Sequence, residues 1–144
     1  MKAVVLYQSR TGNTQRAGEL IAHDLLDRGH EVALRPVTQF DYHELSIADL
    51  IVVGTWTDGI IIAGHRPGQV GRIRALPNLG NKLVATYATY AAHAGKMAQK
   101  MREELEAKDA VVIASEILHR KKLETEAPLF VDTLEAECKI TILT

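Results

Sequence analysis

Residues 3–14 read AVVLYQSRTGNT, and the rest of the chain is interpreted outward from them. Ala3-Val4-Val5-Leu6-Tyr7 is a continuous apolar run, as expected of a strand buried on both faces of a parallel sheet. It gives way to Ser9-Arg10-Thr11-Gly12-Asn13-Thr14, which packs three hydroxyls, a glycine and an amide into six residues. Ala17, Leu20, Ile21 and Leu25 then recur at helical spacing until Gly29 stops the pattern. A helix entered this way presents free N–H groups and a partial positive charge beyond the end of the strand. Gly12 lets the loop backbone turn its N–H groups outward, while Ser9, Thr11 and Thr14 each bring a hydroxyl donor. Neutral donors of this kind suit a terminal monophosphate. The stretch lacks both the lysine of a P-loop and the three spaced glycines of a dinucleotide fold. The same residue types also make an ordinary Ser/Thr-capped helix start, so composition leaves both readings open.

Three more continuous apolar runs follow, at Leu50–Val53, Leu83–Tyr87 and Ala110–Ala114. His30–Pro36 alternates and ends at a proline, which predicts an edge strand. Helices are expected from Asn13 to Gly29, over Lys96–Lys108 with Met97, Met101 and Leu105 on one face, and over Glu126–Glu137. Shorter ones are expected at Tyr42–Ile47 and Gly68–Leu76. Strands alternating with helices predict a doubly wound α/β sheet with right-handed crossovers. Ligands then bind beyond the carboxyl ends of the strands, which singles out the loops Gln8–Thr14, Gly54–Pro67 and Ala88–Gly95. The closing KITILT (139–144) is β-prone, and an added edge strand and a docked tail are both open for it.

The length of 144 residues fits a single domain. Lys+Arg number 17 against 18 Asp+Glu, a formal charge of −1, which argues against a nucleic-acid binder. One cysteine, Cys138, excludes an internal disulfide and any multi-cysteine metal site. No histidine pair has metal-binding spacing, and no apolar run or leader pattern suggests a membrane span or export. The expectation is a cytoplasmic protein with neither nucleic acid nor membrane as partner.

Tyr7-x-Ser9-x-Thr11-Gly12-Asn13-Thr14, followed by Ala17, resembles the FMN-phosphate loop of flavodoxins and flavodoxin-like domains. The order of strands and helices resembles that family over residues 1–138, and the short Leu118–Glu126 connection resembles its short-chain type. The resemblance implies a flavodoxin-like three-layer sandwich with a five-stranded parallel sheet ordered 2-1-3-4-5. It also implies non-covalent FMN, with one-electron chemistry that cycles the flavin between oxidised, semiquinone and hydroquinone states. By that comparison Ser9, Thr11, Asn13 and Thr14 hold the phosphate through side chains, and Arg10 and Gly12 through backbone N–H.

The other two loops carry the candidate ring contacts. Thr55-Trp56-Thr57-Asp58-Gly59 brings a lone tryptophan able to stack on a flat ring. The Asp58-Gly59 peptide resembles the element that flips in flavodoxins to accept a hydrogen bond from the reduced ring. The alternative makes Trp56 a core residue and Asp58-Gly59 a plain turn. In the third loop Thr89, Tyr90, His93 and Gly95 stand where flavodoxins bring a second aromatic and an acid, but no acid lies between Lys82 and Arg102. The rim then reads Arg10, His65, Arg66, His93 and Lys96 against Asp58. Close to the ring, such a rim favours reduced, anionic flavin; on solvated loop tips it is screened away. Ile60-Ile61-Ile62 either packs beneath its loop or forms an apolar lip, and His119-Arg120-Lys121-Lys122 is either a docking patch or solvated surface.

The leading functional expectation is an FMN-binding electron-transfer protein. It would be a monomer or weak homodimer served by redox partners such as a flavin- or NAD(P)H-dependent reductase, with no catalytic side chain. A second class is an FMN-dependent reductase or oxidase acting on a quinone, a porphyrinogen or a similar substrate. A third is a flavin-free interaction module. A flavodoxin serving as a low-potential carrier is usually strongly acidic, whereas this chain is balanced in both halves.

Overall fold

β1 (Lys2–Tyr7) lies between β2 (Glu31–Pro36) and β3 (Leu50–Asp58) and runs parallel to both. This is the placement its uninterrupted apolar sequence demands, since both of its faces are covered. The computed structural model describes residues 1–58, 66–67, 70–92 and 95–143, with the backbone alone at 58, 66, 67, 142 and 143. Within them β4 (Arg66–Pro67) pairs antiparallel with the end of β3, and β5 (Leu83–Tyr90) and β6 (Val111–His119) complete the sheet in the order β2-β1-β3-β5-β6. Counting only the long strands, this is the expected 2-1-3-4-5 order, and the sheet is parallel apart from the two-residue β4.

Side chains alternate across the strands, and the two faces build two cores. On one face Val5, Leu50, Val52 and Tyr87 pack under α1 (Asn13–Asp27) and α5 (Leu123–Leu143), with Ile21, Leu25, Phe130 and Leu134 fully buried. On the other, Leu6, Ile51, Val53 and Val84 lie under α3 (Val70–Arg74) and α4 (Met97–Glu106), where Ile73, Met97, Met101 and Leu105 are inaccessible. Leu45 of α2 (Tyr42–Ile47) joins this second core, and Asp41 caps α2 by accepting the Glu44 N–H at 2.9 Å.

Two expectations about boundaries are corrected. The strands outrun their apolar stretches: Gly54–Asp58 continue β3, Ala88–Tyr90 continue β5 and Ser115–His119 continue β6. Thr55, Trp56, Thr57, Asp58, Thr89 and Tyr90 are therefore strand residues rather than loop residues. Each extension still has a neighbour to pair with, such as Trp56 against Thr89 and Tyr90 against His119, and threonines and aromatics suit a strand. At the other end of the chain, residues 139–143 are neither strand nor tail but the last turns of α5. Extending an existing helix fixes one residue per hydrogen bond, and the β preference of Ile140 and Thr141 is worth only tenths of a kcal/mol. Cys138 stays buried in the first core, and burial pushes its thiol up.

At the end of the sheet where the strands begin, α5 is fastened to α1 by charge. Arg28 reaches Asp132 at 2.7 Å, Glu135 at 2.6 Å and Asp24 at 2.9 Å, and the other oxygen of Glu135 lies 2.9 Å from His30 Nε2. His30, and after it Arg28, holds the Glu135 carboxyl below the usual carboxylate range. A carboxylate lowered on folding stabilises above its ordinary titration range, and that stability is lost as pH falls through the folded value. Glu135→Gln should cost about 1–2 kcal/mol near neutral pH. In urea titrations between about pH 7 and pH 3 it should lose less stability on acidification than the parent chain. Parallel pH profiles would remove Glu135 from the acid sensitivity.

Candidate functional site

The loop between β1 and α1 is shaped by its own side chains. Gly12 is the N-cap of α1 with φ 96°, a left-handed conformation that favours glycine, and among the described residues no side chain caps the helix. Its N–H donates to Ser9 Oγ at 3.0 Å, and Asn13 Nδ2 donates to Thr11 Oγ1 at 3.3 Å. The bond from the Arg16 N–H to the Gly12 carbonyl, at 2.9 Å, opens the helical ladder. First-turn N–H groups thus stay available to an external acceptor. An anion here competes with Ser9 for the Gly12 N–H.

Tyr87 fixes where this helix end stands. Its phenol donates to the Thr14 carbonyl at 2.9 Å, inside the first turn of α1. The ring lies over Gly54, its cross-strand partner, where an added Cβ would come within 1.9 Å of the ring carbon Cζ. Gly18 gives the same phenol room from the helix side, with a hypothetical Cβ 2.9 Å from its oxygen. Complete burial pushes the Tyr87 pKa far up, so the phenol remains a neutral donor. A second buried tie joins Thr14 Oγ1 to Thr89 Oγ1 at 2.8 Å.

Beyond the strand ends lies a cleft of about 220 Å³. Arg10, Thr11 and Asn13 form its α1 side; Trp56 and Thr57 of β3, with Thr89 and Tyr90 of β5, form its floor and wall; Ala91 and Arg120 close it. The indole Nε1 of Trp56 and the hydroxyl of Thr57 are buried with no hydrogen-bond partner among the described residues. Unmade bonds of this kind cost about 1–3 kcal/mol each, so this wall is built to meet a polar edge. Tyr90 stands edge-on to His119, with ring centroids 5.0 Å apart, and its carbonyl accepts the Arg120 N–H at 2.9 Å.

Among the expected site residues, Arg10, Thr11, Asn13, Trp56, Thr57, Thr89 and Tyr90 meet in this cleft. Ser9 and Gly12 stand behind it within the loop, Thr14 and Thr55 are buried beneath, and Gly95 lies at the turn leading to α4. Asp58 ends β3 opposite Arg66. Gly59, the Ile60–Ile62 segment, His65 and His93 fall outside the described residues. Sequence reasoning missed the positioning pair Tyr87 and Gly54, and it missed Arg120 as a wall of the cleft. A tyrosine one ladder step from a glycine, each at the end of its apolar run, is the signal that was there to be used.

A group with a phosphate at one end and a flat ring with polar edges at the other fits what is present. The uncapped helix end and the Thr11 and Asn13 side chains suit the phosphate; Trp56 and Tyr90, with the two orphaned polar atoms, suit the ring. FMN is such a group. Among the described residues no His, Cys, Asp and Glu cluster could hold a metal, and no helix is long and apolar enough to cross a membrane.

Comparison with known proteins points the same way. A family model described as the flavodoxin domain matches residues 4–126. The flavodoxin of Clostridium beijerinckii is 24% identical over 114 residues, covering 79% of this chain and 83% of that protein. The solution structure of two-electron reduced Megasphaera elsdenii flavodoxin superposes with a TM-score of 0.74 at 20% identity, over 95% of this chain and 98% of the other. Oxidised flavodoxin 2 from Bacillus cereus superposes at 0.70 with 21% identity, over 95% and 99%. Near-complete coverage of both chains agrees with the short-chain type and leaves no room for a large insertion.

The contact between Gly54 and Tyr87 can be tested by overpacking it. Gly54→Ala should cost about 3 kcal/mol or more in urea unfolding. In a Tyr87→Ala background, already weakened by a cavity, the same change should cost under about 1 kcal/mol. Additive losses would show that the two positions do not share the constraint.

Proposed function

The chain belongs to the flavodoxin domain family, and on that premise we propose that its cleft holds FMN through the residues named below. The protein is an FMN-binding electron-transfer flavodoxin. When bound, FMN supplies one- and two-electron redox chemistry at its ring system. The task of the chain is to hold the phosphate, orient the ring and limit water access.

The free first-turn N–H groups of α1, with the side chains of Thr11 and Asn13, take the phosphate. They offer neutral donors and the helix dipole in place of a full counter-charge. Ser9 holds the loop in the conformation that presents them. Trp56 and Tyr90 flank the ring, and the unpartnered indole N–H and the Thr57 hydroxyl meet its polar edge. Thr14 and Thr89 act from beneath, by fixing the helix end against β5. Arg10 and Arg120 put positive charge at the cleft. The observation that carries this reading is the convergence, in a single cleft, of a helix start without a cap and two polar atoms without a partner among the described residues.

Flavodoxins pass electrons to partner proteins. For this one we place a flavin- or NAD(P)H-dependent reductase on the donor side, and a monomer or weakly associating dimer working in the cytoplasm.

The purified protein should be yellow, or turn yellow on adding FMN, with one flavin per chain by fluorescence titration. Riboflavin, which lacks the phosphate, should bind about a hundredfold or more weaker than FMN. Asn13→Ala and Thr11→Ala should weaken FMN severalfold and leave riboflavin unchanged, whereas Trp56→Ala should weaken both alike. A colourless product that takes up no FMN would overturn the assignment. Sustained NAD(P)H oxidation by the isolated protein with a quinone would instead move it to the FMN-dependent reductases.

A further inference from the structure

Arginines and their acids are distributed unevenly between the two ends of this molecule. Away from the cleft the arginines are largely neutralised in pairs: Arg28 with Asp132 and Glu135, Arg35 with Glu44 at 2.5 Å, Arg74 with Glu104 at 2.6 Å, and Arg102 beside Glu106 at 3.9 Å. At the cleft end Arg10, Lys96, Arg120, Lys121 and Lys122 are all exposed, and none makes an ion pair among the described residues. Arg10 and Arg120 line the cleft itself, and Lys121 and Lys122 continue the turn that Arg120 begins. The acids at this end are Asp58 at the end of β3, Glu116 on β6, Glu124, which is joined to Arg16, and Glu126, whose carboxylate accepts the His119 N–H at 3.1 Å.

The arrangement of the sheet reinforces this asymmetry. Its long strands are parallel, so α1, α4 and α5 all begin at the cleft end and point the positive ends of their dipoles there. The net charge is only −1, so the balancing acids lie elsewhere. At the opposite end, where the strands begin and α1 finishes, Asp24, Asp27, Glu31, Asp49, Glu106, Asp109 and Glu135 outnumber Lys2, Arg28, Lys82 and Lys108. A nearly neutral chain is thereby an electrical dipole whose positive pole surrounds the cleft.

We propose that the cleft end is the docking face for an acidic redox partner protein, oriented by this dipole before contact. The inference rests on the cleft being the redox site, because only then does the partner's approach shorten the electron's path. Unpaired, solvated cations set encounter rate and orientation more than final affinity, which suits brief complexes. Overall neutrality and the close flanking acids argue for a partner with a matching acidic patch rather than a uniformly anionic polymer or surface.

The test compares two haem proteins of opposite charge, acidic cytochrome b5 and basic cytochrome c, in their ferric forms. Each is mixed with FMN-loaded, photoreduced protein in a stopped-flow instrument. Each transfer moves one electron from the flavin to Fe(III), giving Fe(II). The rate with cytochrome b5 should fall about tenfold between low and high salt, and the rate with cytochrome c should not fall. Lys121→Glu/Lys122→Glu, outside the cleft lining, should slow the b5 reaction about five- to tenfold at low salt with FMN uptake unchanged. Lys108→Glu/Lys139→Glu makes the same change in net charge away from the cleft and should leave the rate near that of the parent. Calorimetric association of flavin-free protein with cytochrome b5, salt-sensitive and weakened by the first pair alone, reads the surface even if FMN binding fails. Salt-independent rates with cytochrome b5, equal losses from the two lysine pairs, or a rate with cytochrome c that falls with salt as steeply as that with b5 would each overturn the proposal. Capture by phosphatidylserine vesicles at physiological salt, abolished by the Lys121/Lys122 pair, would overturn it in favour of a membrane surface.

Discussion

The bond from the Tyr87 phenol to the Thr14 carbonyl sets the geometry on which the site depends. A helix N-terminus binds an anion only if its N–H groups stand at the right height above the strand ends. Here that height is fixed by one buried side chain of defined length, which rises from β5 over the only kind of residue that leaves it room, Gly54. The ring also meets Phe130 of α5 edge-on, with centroids 6.2 Å apart. Both helices of that face are therefore referenced to one tyrosine. The Thr14–Thr89 hydroxyl pair ties the same helix residue to β5 a second time, two positions further along the strand, which leaves α1 little freedom to slide.

Charge is organised around the same axis. Where α1 ends and α5 passes it, acids and bases neutralise one another in a partly buried cluster that holds two helices together. Where α1 begins, the bases are left to solvent. The first arrangement contributes to stability and the second to none, because a lone exposed cation gains little from its own fold. A composition that looks balanced in both halves of the sequence is therefore unbalanced in space. The parallel sheet sorts by end what the chain scatters by number.

Legibility in the sequence followed how local each determinant is. The strand–loop–helix junction around Gly12 could be read because residue types, spacing and conformation are all set within a dozen residues. The central strands could be read from their continuous apolar runs, while their order came from the resemblance to flavodoxins. What could not be read depends on partners distant in sequence. Trp56 and Thr57 look like loop residues until Thr89 and Pro67 arrive to pair with their strand. The last residues look like a strand because threonine and isoleucine prefer one, yet a helix already in progress carries them along. Tyr87 reads as core, and it is core, but nothing in its own neighbourhood says that its hydroxyl reaches residue 14. Arg120 reads as one charge in a basic run, and its place at the cleft follows from β6 extending as far as His119.

Placing the first strand of the chain in the middle of the sheet has a consequence for how the molecule is assembled. β1 meets β2 early, but its other edge waits for Leu50–Gly54, and the loop that follows it waits longer still. Residues 9–14 acquire their final support only when Tyr87 and Thr89 have been made and paired, across about seventy residues of intervening chain. The loop between β1 and α1, though encoded near the amino terminus, is thus among the last features to mature on a growing chain. A nascent polypeptide halted before β5 contains all of residues 9–14 and neither of the buried ties that seat them.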